Sequence, residues 1–112
     1  MSVVTSIVII CPMEEGAEEF IARCERRIKR LELVASSLYT KPYLVRLNEH
    51  CGGPKAPQME IWGTSINCFE WRKFLDFFCK LNPSKFIHYK LIMHYEHWDN
   101  PLAFYPGMRP SL

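Results

Sequence analysis

The stretch Lys85–His97, Lys-Phe-Ile-His-Tyr-Lys-Leu-Ile-Met-His-Tyr-Glu-His, contains the strongest structural pattern in the chain. Apolar or aromatic residues occupy the odd positions from 87 to 95, and the even positions from 88 to 96 are polar apart from Ile92. Because successive side chains of a strand point to opposite faces of a sheet, this period of two predicts a long strand with one apolar and one mostly polar face. Such a strand needs neighbours in a sheet and a layer that covers its apolar side.

Two other segments have the three- and four-residue apolar spacing of amphipathic helices. The first, Glu14–Leu31, has glutamates in its first turns and arginines and lysines in its last, which matches the helix dipole. The second, Cys68–Leu81, follows Asn67, an expected N-cap residue, and Glu70 is placed to complete a capping box. Both helices would present an apolar stripe that can cover one face of a sheet.

Three further segments are predicted to be extended. Val3–Cys11 is β-rich, and its continuous apolar run Ile7–Ile10 is typical of a strand covered on both faces or lying at the centre of a sheet. Glu32–Asn48 is extended but interrupted at Pro42, which favours an edge position or a bulge there. Gln58–Ser65 follows a loop rich in glycine and proline, and we expect it to form a hairpin with the end of the preceding segment.

The order of these elements, β-α-β-β-α-β, predicts a ferredoxin-like α+β sandwich with one antiparallel sheet and both helices on one face. Another α+β sandwich with a different strand order is the alternative, because Pro42 could divide the second strand. Residues 1–97 form the predicted single domain. Residues 98–112 have no regular period, and they predict an irregular arm, containing aromatic residues and prolines, that packs on the domain or on a partner.

The composition is that of an ordinary globular protein, with 48% hydrophobic and 23% charged residues among 112. The formal net charge of +2 is not the strong imbalance of a dedicated nucleic-acid binder, so RNA binding ranks last. The five cysteines are widely spaced and include no C-x-x-C pair, which favours free thiols in a reducing compartment. The N-terminal apolar run is too short to span a bilayer and has no basic region before it. We therefore expect a cytoplasmic protein without a membrane segment.

Few residues in the sequence suggest a catalytic or metal-binding site. His94 and Glu96 would project together from one strand face and could share a metal ion or a proton, but a solvated polar face is the favoured interpretation. Cys51 follows His50 in a flexible loop and is the best-placed nucleophile, although neighbours in sequence do not make a catalytic dyad. Nucleotide-binding, serine-hydrolase and zinc-helix motifs do not occur. The sequence therefore predicts no catalytic residue, no metal ligand and no cofactor.

The favoured function is a small cytosolic, non-enzymatic protein that binds another protein, as an inhibitor, an immunity protein or a phage-type effector would. Its expected binding surface is the free face of the sheet together with the arm, because aromatic residues dominate binding hot spots. The predicted binding residues are His88, Lys90, His94, Glu96, Trp98, Phe104 and Tyr105. The alternative is a homodimer resembling an α+β barrel, acting as a small-molecule enzyme or ligand-binding protein with a pocket lined by His88, His94 and Tyr95.

Overall fold

The computed structural model describes residues 3–33 and 41–112. Residues 34–40, which form the first part of the extended segment predicted before Pro42, lie outside the described residues. The described chain is an α+β fold with two helices and a five-stranded antiparallel sheet. Its elements are β1 Val4–Pro12, α1 Ala17–Leu31, β2 Val45–Arg46, β3 Met59–Asn67, α2 Trp71–Cys79, β4 Lys90–Tyr95 and β5 Leu102–Phe104.

Strand β1 is the centre of the sheet, whose strand order is β2-β3-β1-β4-β5. Its residue Val8 lies opposite Gly63 of β3 on one side and opposite Ile92 of β4 on the other. This confirms the central position that the apolar run in β1 predicted. The hairpin expected between the second and third strands is also confirmed, because β2 pairs antiparallel with β3. The predicted four-stranded arrangement did not include the fifth strand, so the fold prediction is confirmed at the level of its class.

One face of the sheet and both helices enclose the core. Alternate residues of β1 and β4 are fully buried on this face, Ile7 and Ile9 in the first and Leu91 and Met93 in the second. The apolar stripes of both helices complete the same buried cluster. Phe20 of α1 joins the layers, because its ring packs edge to face on Phe78 of α2 and on Tyr89 before β4. Both helices therefore cover one face of the sheet, as their apolar stripes predicted.

Both helices begin three residues later than their spacing predicted. In α1, Glu14 and Glu15 precede Gly16, which has a φ of 94° and occupies the N-cap position. In α2, Asn67 is still the last residue of β3, and Cys68 then turns the chain with a φ of 53°. The predicted capping box at Asn67 is wrong, because Glu70 takes the N-cap position and makes no side-chain cap hydrogen bond.

The strand predicted for Lys85–His97 is shorter than its alternating pattern. A turn occupies residues 83–88, and its start is fixed by Asn82, whose Oδ1 accepts hydrogen bonds from the backbone N–H groups of Ser84 and Lys85. The strand itself is β4, and beyond Tyr95 the chain turns again at 96–97. Within β4 the alternation is confirmed, because Leu91 and Met93 face the core.

The C-terminal tail was predicted to be irregular, but part of it is strand β5, which pairs with β4 at the edge of the sheet. Phe104 lies opposite Leu91 and is only 3% exposed. Farther along, the backbone N–H of Gly107 donates to the carbonyl oxygen of Cys79 at 2.8 Å, which ties the tail to the end of α2. The tail thus packs on its own domain. Among the described helices, none has the length and hydrophobicity needed to cross a membrane.

Candidate functional site

The face of the sheet opposite the helices carries a contiguous set of apolar residues. The strand register aligns one residue from each strand in a single row across the sheet. Because side chains in a row of paired residues share a face, the whole row points away from the core. We call this surface the open face. Its apolar residues are Val8, Ile10, Val45, Leu47, Ile61, Gly63, Ile92 and Ala103.

Apart from Gly63, which is buried, these residues are exposed or half-buried in the part of the chain that the structure describes. Val45 is 55% exposed and Leu47 is 58% exposed, while Val8, Ile10 and Ile92 are half-buried by their neighbours in the sheet. Leu47 leans across the sheet, since its Cδ1 lies 2.7 Å from where a Cβ on Gly63 would stand. Single exposed apolar residues are ordinary, but a contiguous patch of them marks an interaction surface.

Polar residues border the apolar row on one side. The hydroxyl groups of Ser6 and Ser65 lie 3.0 Å apart across β1 and β3. His94 follows in the same row on β4, and its Nε2 lies 3.0 Å from the carbonyl oxygen of Trp98. On the other side, Lys90 begins β4, and its Nζ lies 5.4 Å from the centroid of the Tyr105 ring. An apolar centre with a polar border is the usual anatomy of a protein interface.

The structure brings together only part of the predicted site. Lys90 and His94 lie on the open face of β4, on either side of Ile92. His88 and Glu96 are exposed but belong to the turns before and after the strand. Although β4 ends at Tyr95, the backbone N–H of Glu96 still donates to the carbonyl oxygen of Val4 in β1 at 2.9 Å, so the joint projection of His94 and Glu96 stays a prediction.

The predicted aromatic residues of the tail divide between core and surface. Phe104 is buried against the sheet, so it cannot form a binding surface in the folded chain. Trp98 packs edge to face on Trp71 of α2, with ring centroids 5.0 Å apart, and closes that side of the core. Tyr105 remains half exposed beside Lys90 at the margin of the open face. The tail therefore contributes Tyr105, and not a separate arm, to the candidate surface.

The apolar centre of the open face was not predicted as a binding site. The binding residues predicted on the free face lie in or beside the last strand and in the tail, whereas most of the apolar residues of the open face lie in β1, β2 and β3, and Leu47 follows β2. One signal was present in the run Ile7–Ile10, which is apolar at every position and thus predicts cover on both faces of β1. In the described chain the helices cover one of those faces only.

Three of the five cysteines are buried. All five are free. Burial raises the pKa of Cys11 to about 11 and raises the pKa of Cys24 and of Cys79 above the ordinary thiol value. Such thiols stay protonated at neutral pH and behave as small apolar side chains. Cys51, the candidate nucleophile, is exposed in its loop, and its Sγ lies 3.5 Å from the carbonyl oxygen of Asn48.

Cavities and metal-binding clusters offer no stronger site. The described residues contain no group of three or more His, Cys, Asp or Glu side chains that could hold a metal ion. A cleft of about 610 Å³ lies between α2 and the tail, and neither His88 nor His94 lines it. Searches of protein-family models, curated proteins and solved structures found no match to this chain.

Proposed function

We propose that this chain is a small, non-enzymatic, cytosolic protein that acts by binding a protein partner through the open face. An inhibitor, an immunity protein or a phage-type effector would act in this way. The observation that supports the proposal is the partly exposed apolar row that crosses all five strands from Val45 to Ala103. The five free thiols are in keeping with a reducing compartment.

We also infer that the helices and the first four strands form a ferredoxin-like core. Within the sheet these strands run in the order β4-β1-β3-β2, and each neighbouring pair is antiparallel. The helices α1 and α2 follow β1 and β3 along the chain. Strand β5 is then an addition at the β4 edge, which widens the open face by one strand.

The energetics favour a partner that covers the apolar row. Transfer of apolar surface out of water contributes about 25 cal/mol per Å², so the half-buried Val8, Ile10 and Ile92 would each gain from contact with another apolar surface. Their side chains are already restricted by the sheet, and β-branched residues have few rotamers to lose. The face is therefore preorganised for binding, and little of the gain is offset by ordering the surface.

A capture experiment with matched variants tests the proposal. The tagged protein, the variant Ile92→Lys and the variant Ile87→Lys are each used to capture proteins from a lysate of the cells that naturally contain the chain. Ile92 lies at the centre of the open face, whereas Ile87 is 66% exposed in the turn before β4 and serves as the control. Mass spectrometry identifies the captured proteins, including untagged copies of the chain.

We expect a stoichiometric partner with the wild type and with Ile87→Lys, and its loss with Ile92→Lys. Circular dichroism must show the same fold for all three proteins. A partner that Ile92→Lys retains in full would contradict the proposal. Truncation after His97 is not a suitable variant, because it removes the buried Phe104 and the strand β5 together with the surface residue Tyr105.

A further inference from the structure

We propose that the partner of the open face is a second copy of this chain, packed open face against open face. The two copies are related by a two-fold axis that is parallel to β1 and lies midway between the two sheets. This inference rests on the proposed function, because it names the occupant of the same surface. In such a dimer each copy presents the same patch to the other. Two sheets that pack face to face with nearly aligned strands are a common arrangement, with the sheets about 10 Å apart.

The sizes of the residues in the central row support this occupant. An axis along β1 places β4 of one copy over β3 of the other and β5 over β2, since two strands lie on each side of β1. Ile92 of the second copy then lies over Gly63 and the Leu47 side chain that leans across it. Ala103 of the second copy lies over Val45. Ile92 thus meets Leu47 above Gly63, and the small Ala103 meets the larger Val45, so apolar side chains face each other along the row.

The polarity of the neighbouring rows agrees with the same axis. His94 of one copy lies over Ser65 of the other, so the polar border of the face meets a polar border. On the opposite side, Lys90 lies over Ile61. The aliphatic part of a lysine can cover an apolar residue while its ammonium group remains near the margin, where Tyr105 lies. No residue of the face would have to bury an unpaired charge at the centre.

The charge of the open face fits a dimer interface, and its strands supply part of the area that such an interface needs. The five strands contain 29 residues in all, so at about 3.3 Å per residue and about 4.8 Å between strands the sheet face covers about 460 Å². A stable interface of standard size buries about 800 Å² on each partner. Among the strand residues on the open face, within the described chain, Lys90 is the only one with a formal charge, and Glu96 lies just beyond β4. Homodimer interfaces are richer in apolar surface than those of transient complexes, and the face has this character.

Sedimentation equilibrium over a range of concentrations tests the inference on the full chain, with the variants Ile92→Lys, Val45→Lys and Ile87→Lys. We expect the wild type and Ile87→Lys to reach a mass twice the 13.2 kDa of one chain. Ile92→Lys should weaken the dimer about tenfold or more, because it introduces a charge at the apolar centre, and Val45→Lys at the rim should weaken it less. Val45 is 55% exposed at an edge strand, so its substitution tests the interface even if Ile92→Lys folds poorly.

The possible results separate this inference from the proposed function. A dimer that both open-face variants weaken and the control does not would support it. A dimer that neither open-face variant weakens would overturn it. A monomeric wild type that captures a different protein, lost with Ile92→Lys, would also overturn it and would leave the proposed function intact. A monomeric wild type that loses no partner with Ile92→Lys would overturn both.

Discussion

At the scale of single residues, the carboxylate of Glu25 fastens the chain before β2 to helix α1. Its Oε1 accepts a hydrogen bond from the backbone N–H of Leu44 at 2.8 Å, and its Oε2 accepts one from the backbone N–H of Tyr43 at 3.0 Å. Lys29 lies one helical turn away and pairs with the same carboxylate at 3.3 Å. Glu25 therefore positions the start of the strand that carries Val45 on the open face.

The substitution Glu25→Gln should lower the free energy of unfolding by about 2 kcal/mol. An amide keeps one acceptor oxygen, so one of the two backbone N–H groups loses its partner and the ion pair with Lys29 is lost. Glu19→Gln, on the exposed side of the same helix, is the matched control and should change stability by less than about 0.5 kcal/mol. Urea unfolding followed by circular dichroism measures both. Equal effects of the two variants would show that the bonds of Glu25 do not stabilise the fold.

The buried thiol of Cys11 should make the fold sensitive to alkaline pH. Burial, with a smaller contribution from the negative charges of Glu60 and Glu14, raises its pKa from 9.0 to about 11. A raised pKa in the folded state means that the full stability is present below the thiol's ordinary pKa and is lost as the pH rises toward 11. The shift corresponds to about 3 kcal/mol at high pH.

Urea unfolding of the wild type and of Cys11→Val at about pH 8 and about pH 10.5 checks this expectation. We expect the wild type to lose more stability between the two values than the variant, since valine has a similar size and no proton to lose. Cys24 is buried in the same core and should make both proteins lose some stability. Parallel losses in the two proteins would exclude Cys11 as the cause.

At the scale of elements, Gly107 connects the tail to helix α2. It has a φ of 92°, and its N–H donates to Cys79 at the end of the helix. A Cβ there would lie 3.1 Å from the Cβ of Pro83. The left-handed conformation and the contact with Pro83 both require the absence of a side chain.

Gly107→Ala should therefore lower the free energy of unfolding by about 1 to 2 kcal/mol. Gly52→Ala is the matched control, because Gly52 has no positive φ and no heavy atom within 4 Å of an added Cβ. Its expected effect is close to zero. Thermal unfolding of the two variants beside the wild type gives the comparison. If Gly107→Ala unfolds at the wild-type temperature, the turn after β5 does not hold the tail on the domain.

The elements that the sequence predicted well are those whose pattern is set by the core. The alternation at Leu91 and Met93 and the spacing of the helical stripes follow from burial on one face. The ends of elements were predicted less well, because single backbone contacts decide them. The turn before β4 forms where Asn82 caps it, although the alternating pattern continues through that turn. Similarly, α2 begins later than predicted because Cys68 has a positive φ. A periodic sequence pattern does not predict the dihedral angle of a single residue.

At the scale of the whole molecule, the open face shows why the candidate site could be predicted only in part. Lys90 and His94 were found because they lie on the strand with the clearest period. The surrounding apolar surface depends on the register between β1 and its two neighbours, which brings Val8, Gly63 and Ile92 side by side. Pairing between segments far apart in the chain is a property of the tertiary structure, and the hydrophobic pattern of one strand does not report it.

The proposed two-fold axis along β1 makes a further prediction about charges at the rim of the dimer. It places Val45 of each copy over Ala103 of the other, while within one chain these residues lie four strand spacings apart. We expect the double variants V45K/A103E and V45E/A103K to dimerise more tightly than V45K/A103K and V45E/A103E. Opposite charges would meet at both rims in the first two variants, and like charges in the last two.

The difference between the two groups should be about fivefold or more in the dissociation constant, since two rim contacts change from repulsive to attractive. The like-charged variants change the net charge in opposite directions, whereas the oppositely charged variants leave it unchanged, so net charge alone cannot produce this order. A two-fold axis that lies between the sheets but crosses the strands at a right angle would instead place Val45 over Val45 and Ala103 over Ala103. All four variants would then bring like charges together and would dimerise with similar affinity, so sedimentation equilibrium in low salt distinguishes the two geometries.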